Sequence, residues 1–263
     1  MGLLDSLKLC SNDHVNLNAP QATLRYRNII LQKPFLKKIY LDFYRRIQKY
    51  LKDLSPCAKV VELGSGGGFL KEIYPNLITS DIIELPHVDM TFSGLEMPFK
   101  MESLDALVMV DVLHHIPNAR LFFQEARRCL RPGGRMVMIE PANTFWSRFI
   151  YQNFHHEAFD PCGTWEFSSS GPLSSANGAI PWILFFRDRF QFEKEFPELK
   201  IKVLQNHTSL RYLLSGGLSY RQLLPSCFYP LVVLLELGLC PLNNLCGMFL
   251  TIVLEKQKSS PAA

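Results

Sequence analysis

A β-branched run, AKVVEL (residues 58–63), opens directly into a loop, GSGGG (64–68), that holds four glycines and one serine. Backbone without Cβ atoms can turn tightly and bring its amide N–H groups close to a ligand. Residues from Gly68 onward read as a helix, so the order is strand, tight turn, helix, the opening of a doubly wound sheet. NLITSD (76–81) is a second strand ending in an acid, and LDALVMVDV (104–112) is nearly unbroken apolar, as a strand covered on both faces must be. A helix from Asn118 to Leu130 follows, with Asn118 as N-cap, and RPGG (131–134) stops it before the strand RMVMIEP (135–141). Strands and helices thus alternate from 59 to 140, which demands a mostly parallel α/β sheet. LKIKVLQ (199–205) and MFLTIVLEK (248–256) read as a C-terminal antiparallel strand pair separated by an apolar helical insertion.

The ligand class follows from spacing. Glycines at 64, 66 and 68 keep the turn open, and Asp81 stands at the end of the second strand, where a carboxylate accepts hydrogen bonds from ribose hydroxyls. A dinucleotide fingerprint, G-x-G-x-x-G, would need glycine at position 69, where this chain has Phe69. A nucleoside bearing a short amino-acid tail therefore fits better than NAD, and a ligand-free structural turn is the alternative.

VVELGSGGGFL, SDI, MPFKMESLDALVMVDVLHHIPN and FFQEARRCLRPGGRMVMIEP, taken in that order, resemble the class I S-adenosylmethionine-dependent methyltransferases, and within them the small-molecule and lipid methyltransferases. The resemblance covers residues 58–141 and implies a Rossmann-like fold with S-adenosyl-L-methionine as cofactor. It implies that Glu62, Gly64, Ser65, Gly66 and Gly68 hold the methionine end, that Asp81 holds the ribose with Ile82 also against the cofactor, and that Asp111, Val112 and Leu113 lie beneath the sulfonium. The family often has an acid five residues before the proline of its L-P-F motif, contacting the adenine amino group. Here that position is Ser93, which leaves either a weaker contact from Ser93 or a role shifted to Asp89. Only IIELPH separates the second strand from VDM (88–90), too little for a crossover helix, so that edge of the sheet is expected to be trimmed.

With 263 residues and 48% hydrophobic side chains, the chain can bury one sizeable core. Two regions are expected, an amino-terminal basic amphipathic helical segment (1–57) and the methyltransferase domain (58–257). The latter includes a substrate-side loop (142–198) and the apolar insertion (208–246). From Phe35 to Leu51 apolar residues recur at three and four, while Lys37, Lys38, Arg45, Arg46 and Lys49 occupy the other face. Residues 1–60 carry eleven Lys/Arg against four Asp, although the whole chain is only +4. That basic end is either a solvated face or a contact for an anionic substrate or membrane surface. Seven cysteines without a C-x-x-C pair argue against both a secreted disulfide framework and a zinc site, so no metal is expected and the cytoplasm is the expected compartment. Asp5 and Lys8 interrupt the only early apolar run, which argues against a signal peptide, while MGLLDS matches the pattern for myristoylation at Gly2.

A sulfonium methyl is already activated, so the protein must chiefly position a nucleophile and exclude water, with a base only where the nucleophile starts protonated. His115, next to His114 at the end of the fourth strand, and His155 and His156 in NFHHEAFD are the candidates. Trp165, Glu166 and Asn177, in the loop WEFSSSGPLSSANGAIPW, are the candidate substrate contacts. In LLPSCFYPLVVLLELGLCPLNNLCGMFL (223–250), Pro225, Pro230, Glu236 and Pro241 break the apolar runs below the length of a membrane span. That segment is read as ordinary core, as a cap over a hydrophobic substrate, or as a peripheral membrane contact. The expected acceptor is a small or lipid-like molecule. A catalytically inactive S-adenosylmethionine-binding partner protein and an NAD(P)-dependent oxidoreductase are the alternatives. A nucleic-acid substrate is disfavoured, because DVLHH stands where base methyltransferases carry Asn/Asp-Pro-Pro-Tyr/Phe.

Overall fold

Seven strands form one sheet in the order β3-β2-β1-β4-β5-β7-β6. They are β1 Val60–Leu63, β2 Ile78–Asp81, β3 Met90–Thr91, β4 Leu104–Val110, β5 Leu130–Pro141, β6 Leu199–His207 and β7 Phe249–Lys256. The computed structural model describes Leu9, Asn16, residues 18–155 and residues 157–257; the MGLLDS motif and His156 lie outside the described residues. β1 to β5 pair in parallel, and β7 runs antiparallel between β5 and β6. β4 is buried along almost its whole length, which is what its continuous apolar sequence requires of a strand covered on both faces. β3 has only two residues, so the expected trimmed edge is present.

Two departures from the sequence reading shape the site. No α-helix follows the glycine loop; Ser65–Gly67 and Leu70–Glu72 form separate 3-10 turns instead. Glycines are poor helix residues, and Pro75 ends the run before a helix can nucleate. The vacated face is covered by the amino-terminal helices α1, Pro20–Gln32, which the sequence reading did not include, and α2, Pro34–Leu51. Phe35, Leu36, Ile39, Phe43, Tyr44 and Ile47 of α2 are fully buried in the same core as the sheet. Helix α3, Ala119–Cys129, begins as expected, with the Asn118 side chain accepting from the Leu121 amide at 2.9 Å. Helix α4, Phe145–Phe154, follows β5 and opens with a reciprocal Thr144–Ser147 capping box.

The second departure is the insertion between β6 and β7. Ser226–Cys246 is a continuous helical run of 21 residues, long and apolar enough by length and composition to cross a membrane, whereas its prolines were expected to break it. Pro230 and Pro241 sit in first-turn positions, where the missing N–H costs nothing. Its main helix, α7 here (Tyr229–Leu239), follows two short helices, α5 (Arg189–Glu195) and α6 (Arg211–Ser215). It lies along the protein: the Tyr229 ring meets Phe35 at 4.9 Å, and Glu236 accepts from the amides of Leu210 (2.6 Å) and Arg211 (2.7 Å). The Arg211 guanidinium pairs with both Glu236 and Asp42 of α2, so the insertion is tied to the amino-terminal helices through a buried charge network.

Candidate functional site

A cavity of about 530 Å³ opens at the carboxyl ends of β1, β2, β4 and β5, where Glu62 to Gly64, Asp81, Val110 to Val112 and Pro141 reach it. This is the position at which open α/β sheets bind ligands. Gly64 takes φ = 69°, a left-handed conformation natural to glycine. The Asp81 carboxylate is held by the amides of Gly66 (3.0 Å) and Ile83 (2.9 Å). Gly67 and Gly68 also line the cavity, as do Ile82 and Ser93. Ser65 instead braces the strands, its hydroxyl donating to the Glu62 carbonyl and accepting from the Ser80 amide. Asp89 does not line the cavity, because its carboxylate is taken by Lys71 and by the Thr79 amide and hydroxyl.

Three carboxyls at this mouth are pushed towards their neutral forms. Burial raises Glu62 to about 7, with the nearby Asp81 adding to the effect. Burial also raises Asp81 against the hydrogen bonds it accepts, and raises Asp111 to about 8. Glu62 Oε2 is buried without a hydrogen-bond partner among the described residues, as is Thr23 Oγ1 of α1, and both residues line the cavity. An orphaned buried carboxylate oxygen is costly unless a ligand supplies its donor.

The turn after β4 is built by a residue absent from the sequence-based candidates. Glu140, fully buried at the end of β5, accepts from the Val112 amide (2.9 Å) and the Leu113 amide (2.8 Å) and faces His114 Nδ1 at 2.7 Å. That clamp holds Asp111 at φ = 56°, an uncommon conformation for a residue with a side chain. Its signal in the sequence was an acid closing the apolar run MVMIE. Glu157, from the segment after α4, approaches His114 Nε2 at 3.4 Å and His115 Nε2 at 3.5 Å. Burial works against a charged His114, but the hydrogen bonds and charges of Glu140 and Glu157 outweigh it and keep the ring protonated well above the usual histidine range. His115 goes the other way: burial and the neighbouring His114 charge lower it to about 4.

Of the candidate bases, His115 and His155 line the cavity, with Glu157 between them. Trp165, Glu166 and Asn177 do not. Trp165 is buried with its indole N–H on Asp188 at 2.8 Å, and Glu166 pairs with Arg120 on the surface. Asn177 staples its loop to Asp160, its side chain accepting from the Asp160 amide and donating to the Asp160 carbonyl. Their loop still contributes to the cavity wall through Ser169 to Leu173 and Gly178. The deeper wall comes from Tyr40, Tyr44, Tyr151 and Tyr212, which periodicity alone had marked as helix core or passed over.

A family model described as a methyltransferase domain matches residues 61–138. Residues 61–138 therefore carry a methyltransferase domain of the S-adenosylmethionine-dependent class I type. A demethylmenaquinone methyltransferase of Streptomyces griseus is 25% identical over 134 residues, covering 45% of this chain and 58% of the relative. A probable tRNA methyltransferase 9B of Mus musculus is 22% identical over 118 residues, covering 40% of this chain and 26% of the relative. The chain thus spans 58% and 26% of these curated relatives, under two thirds of either. Among solved structures, a possible histamine N-methyltransferase from Thermotoga maritima superposes with a TM-score of 0.56 at 17% identity, covering 90% of this chain and 98% of the other. The similarity shows that the chain has the methyltransferase fold. The nicotinamide alternative is set aside with it.

The cofactor of the family is S-adenosylmethionine, and the residues of the cavity fit it. Gly64, Gly67 and Gly68 present bare backbone to the space, Asp81 has acceptor capacity for a ribose, and Glu62 Oε2 awaits a donor such as the ammonium of an amino-acid tail. Ser93 lies on the wall with Phe92 and Leu95, where an adenine ring would find an apolar slot and one hydroxyl.

Proposed function

We propose that this methyltransferase moves the methyl group of S-adenosylmethionine to a small acceptor with an apolar, lipid-like body. The observation that carries the reading is an aromatic and apolar lining shared by two neighbouring cavities. Beyond the glycine loop, Tyr40, Tyr151, Tyr212 and Phe249 line the first. A second cavity of about 260 Å³, lined by Ile150, Phe154, Leu213 and Leu223, shares Tyr151, His155, Tyr212 and Leu218 with the first. An acceptor with its reactive group by the acid and histidines could run its apolar portion into that side space.

S-adenosylmethionine supplies an electrophilic methyl group, and the chain's own residues have three tasks. Glu62, Asp81 and the glycine loop orient the cofactor, the aromatic chamber excludes water, and the Asp111 to His115 turn, clamped by Glu140, fixes the floor on which the two reactants meet. A neutral His115 and the Glu157 carboxylate are the groups positioned to take a proton from an acceptor hydroxyl or amine. Exposed apolar side chains support a peripheral membrane contact as the route by which such an acceptor is met. Phe145, Trp146 and Phe149 of α4 and Leu231, Leu234, Leu235 and Leu237 of α7 all face solvent.

Two measurements test this. Titration with S-adenosylhomocysteine should show binding that Asp81→Ala weakens at least about tenfold, a loss of roughly 1.4 kcal/mol. Incubation with methyl-labelled S-adenosylmethionine and a whole-cell extract should then place label in the organic-solvent fraction. Label confined to RNA or protein would overturn the acceptor class. Binding without any transfer would favour the inactive-partner alternative.

A further inference from the structure

The acid and histidine cluster has a geometry that proton transfer alone does not require. His114 Nδ1 stands 2.7 Å from the buried Glu140 carboxylate, and His115 Nδ1 stands 3.2 Å from the Ser175 carbonyl. A carbonyl can only accept, so His115 carries its proton on Nδ1 and leaves Nε2 with a bare lone pair. Deprotonated, His114 would follow the same pattern, with Nδ1–H on Glu140. Both Nε2 atoms then converge on the Glu157 carboxylate, at 3.4 Å from Oε2 and 3.5 Å from Oε1. Those separations lie at the long end of the range for N–H···O bonds. Each is close to the edge of a tetrahedron with metal–ligand bonds of about 2.1 Å, which is about 3.4 Å, although the two rings reach different oxygens of the carboxylate.

We propose that His114 Nε2, His115 Nε2 and the Glu157 carboxylate bind one divalent transition-metal ion of the zinc class. One ligand atom from each residue lies within 4.8 Å of the other two. Glu140 and the Ser175 carbonyl are the outer hydrogen-bond acceptors that metal-bound histidines characteristically have, fixing ring orientation and tautomer. Glu140 also fastens the backbone of Val112 and Leu113 just before both rings, so the two histidines are preorganised. Imidazole nitrogen with one carboxylate suits zinc, iron(II) or cobalt(II) better than magnesium or calcium. Because all three ligands line the cavity, the fourth position of such an ion would open on the chamber, where an oxygen donor could occupy it. The sequence suggested no metal because cysteine spacing was the signal sought, whereas these ligands come from two distant segments joined only by the fold. The ligands are distinct from the residues that fit the cofactor, but His115 and Glu157 are also the proposed proton acceptors, so metal binding is measured directly and not through methyl transfer.

The competing occupant of the same lone pairs is the proton that Glu140 and Glu157 keep on His114. Cobalt(II) distinguishes the two. Untagged full-length protein, stripped with a chelator, should bind one cobalt ion per chain, with visible ligand-field absorption and without the near-ultraviolet charge-transfer band that thiolate ligands give. His115→Ala and Glu157→Ala should each weaken that binding at least tenfold, and Glu140→Gln by about 10- to 100-fold, the usual effect of losing an outer partner. Zinc should displace the cobalt and erase the visible bands. No stoichiometric binding, a thiolate band, or binding indifferent to His115 and Glu157 would each overturn the proposal. Should a variant fail to fold, the stoichiometry and spectrum of the wild-type protein decide.

Discussion

The Gly66 amide donates to Oδ2 of Asp81 at 3.0 Å, and a methyl group built on Gly66 would stand 2.7 Å from that same oxygen. The glycine loop and the carboxylate proposed to hold the ribose are therefore one unit, joined by this hydrogen bond. The same added carbon would also meet Leu85 at 2.7 Å and come closer still to Thr23 of α1. Gly66 is thus the point at which the amino-terminal helix, the loop and β2 converge.

Gly66→Ala is expected to lower stability by about 1–3 kcal/mol, the usual cost of overpacking, and to weaken S-adenosylhomocysteine at least about tenfold by displacing Asp81. Gly67→Ala is the control. Its new carbon meets only Ile30, at an ordinary 3.7 Å, so its stability should stay within about 0.5 kcal/mol of wild type. Chemical denaturation and calorimetric titration of the pair check this, and equal stability losses in both variants would refute it.

How much of this was legible beforehand differs by element. The parallel sheet, Asn118 as N-cap and the late strand pair follow from period and breakers, because such signals are local. The glycine loop and Asp81 are legible for the same reason: backbone freedom and an acid at a strand end act at short range. The missing helix after Gly68 was hidden because apolar Phe69, Leu70 and Ile73 imitate helical spacing while Pro75 leaves no room for a helix. Trp165 and Asn177 misled because an aromatic or amide in a polar loop looks the same whether it faces a substrate or staples the loop. Glu140 and Glu157 act through partners far away in sequence, and no spacing rule connects them.

Glu62 makes cofactor affinity depend on pH. Burial raises its folded-state value from 4.5 to about 7, so below pH 7 the free protein holds it neutral. A cationic amino-acid tail favours the carboxylate, so binding must expel that proton. Affinity for S-adenosylhomocysteine should therefore fall about five- to sixfold as pH drops from 7 to 6, and be nearly flat in Glu62→Gln. The stability sign is the opposite of a salt-bridged acid: the folded state binds the proton more tightly, so stability is lost as pH rises through about 7. Relative to wild type, Glu62→Gln should gain up to roughly 3 kcal/mol between pH 5 and 8, because each tenfold change in acidity is worth about 1.4 kcal/mol. Denaturant titrations across that range, and parallel calorimetry, check both signs.

Tyr44 links the core to the loop. Its hydroxyl accepts from the buried Phe69 amide at 2.9 Å, immediately after the last glycine. Tyr44→Phe leaves that amide without a partner, at a cost of about 1–3 kcal/mol. Amide exchange at Phe69 should accelerate correspondingly, whereas loss of the same stability with Phe69 still protected would assign the hydroxyl a different role.

The apolar face of α7 yields the last expectation. Glu236 points inward and is buried against Arg211, while Leu234, Leu235 and Leu237 around it are more than half exposed. The helix buries Tyr229 and Val232 together with Glu236 and turns these leucines outward, so its apolar surface continues past the side that packs inward. Water alone would not stabilise that arrangement, but the interfacial layer of a bilayer would, since each leucine it takes up contributes about 1.5–3 kcal/mol when fully buried. Wild-type protein should co-sediment with phosphatidylcholine–phosphatidylglycerol vesicles. Leu234→Gln together with Leu237→Gln should reduce that partitioning at least about tenfold while leaving S-adenosylhomocysteine affinity unchanged, because neither residue lines the cavity. Vesicle binding that survives the double substitution would move the contact elsewhere on the surface. A wild-type protein that ignores vesicles would leave the leucines as a face for another protein, and the lipid-like acceptor would lose its delivery route.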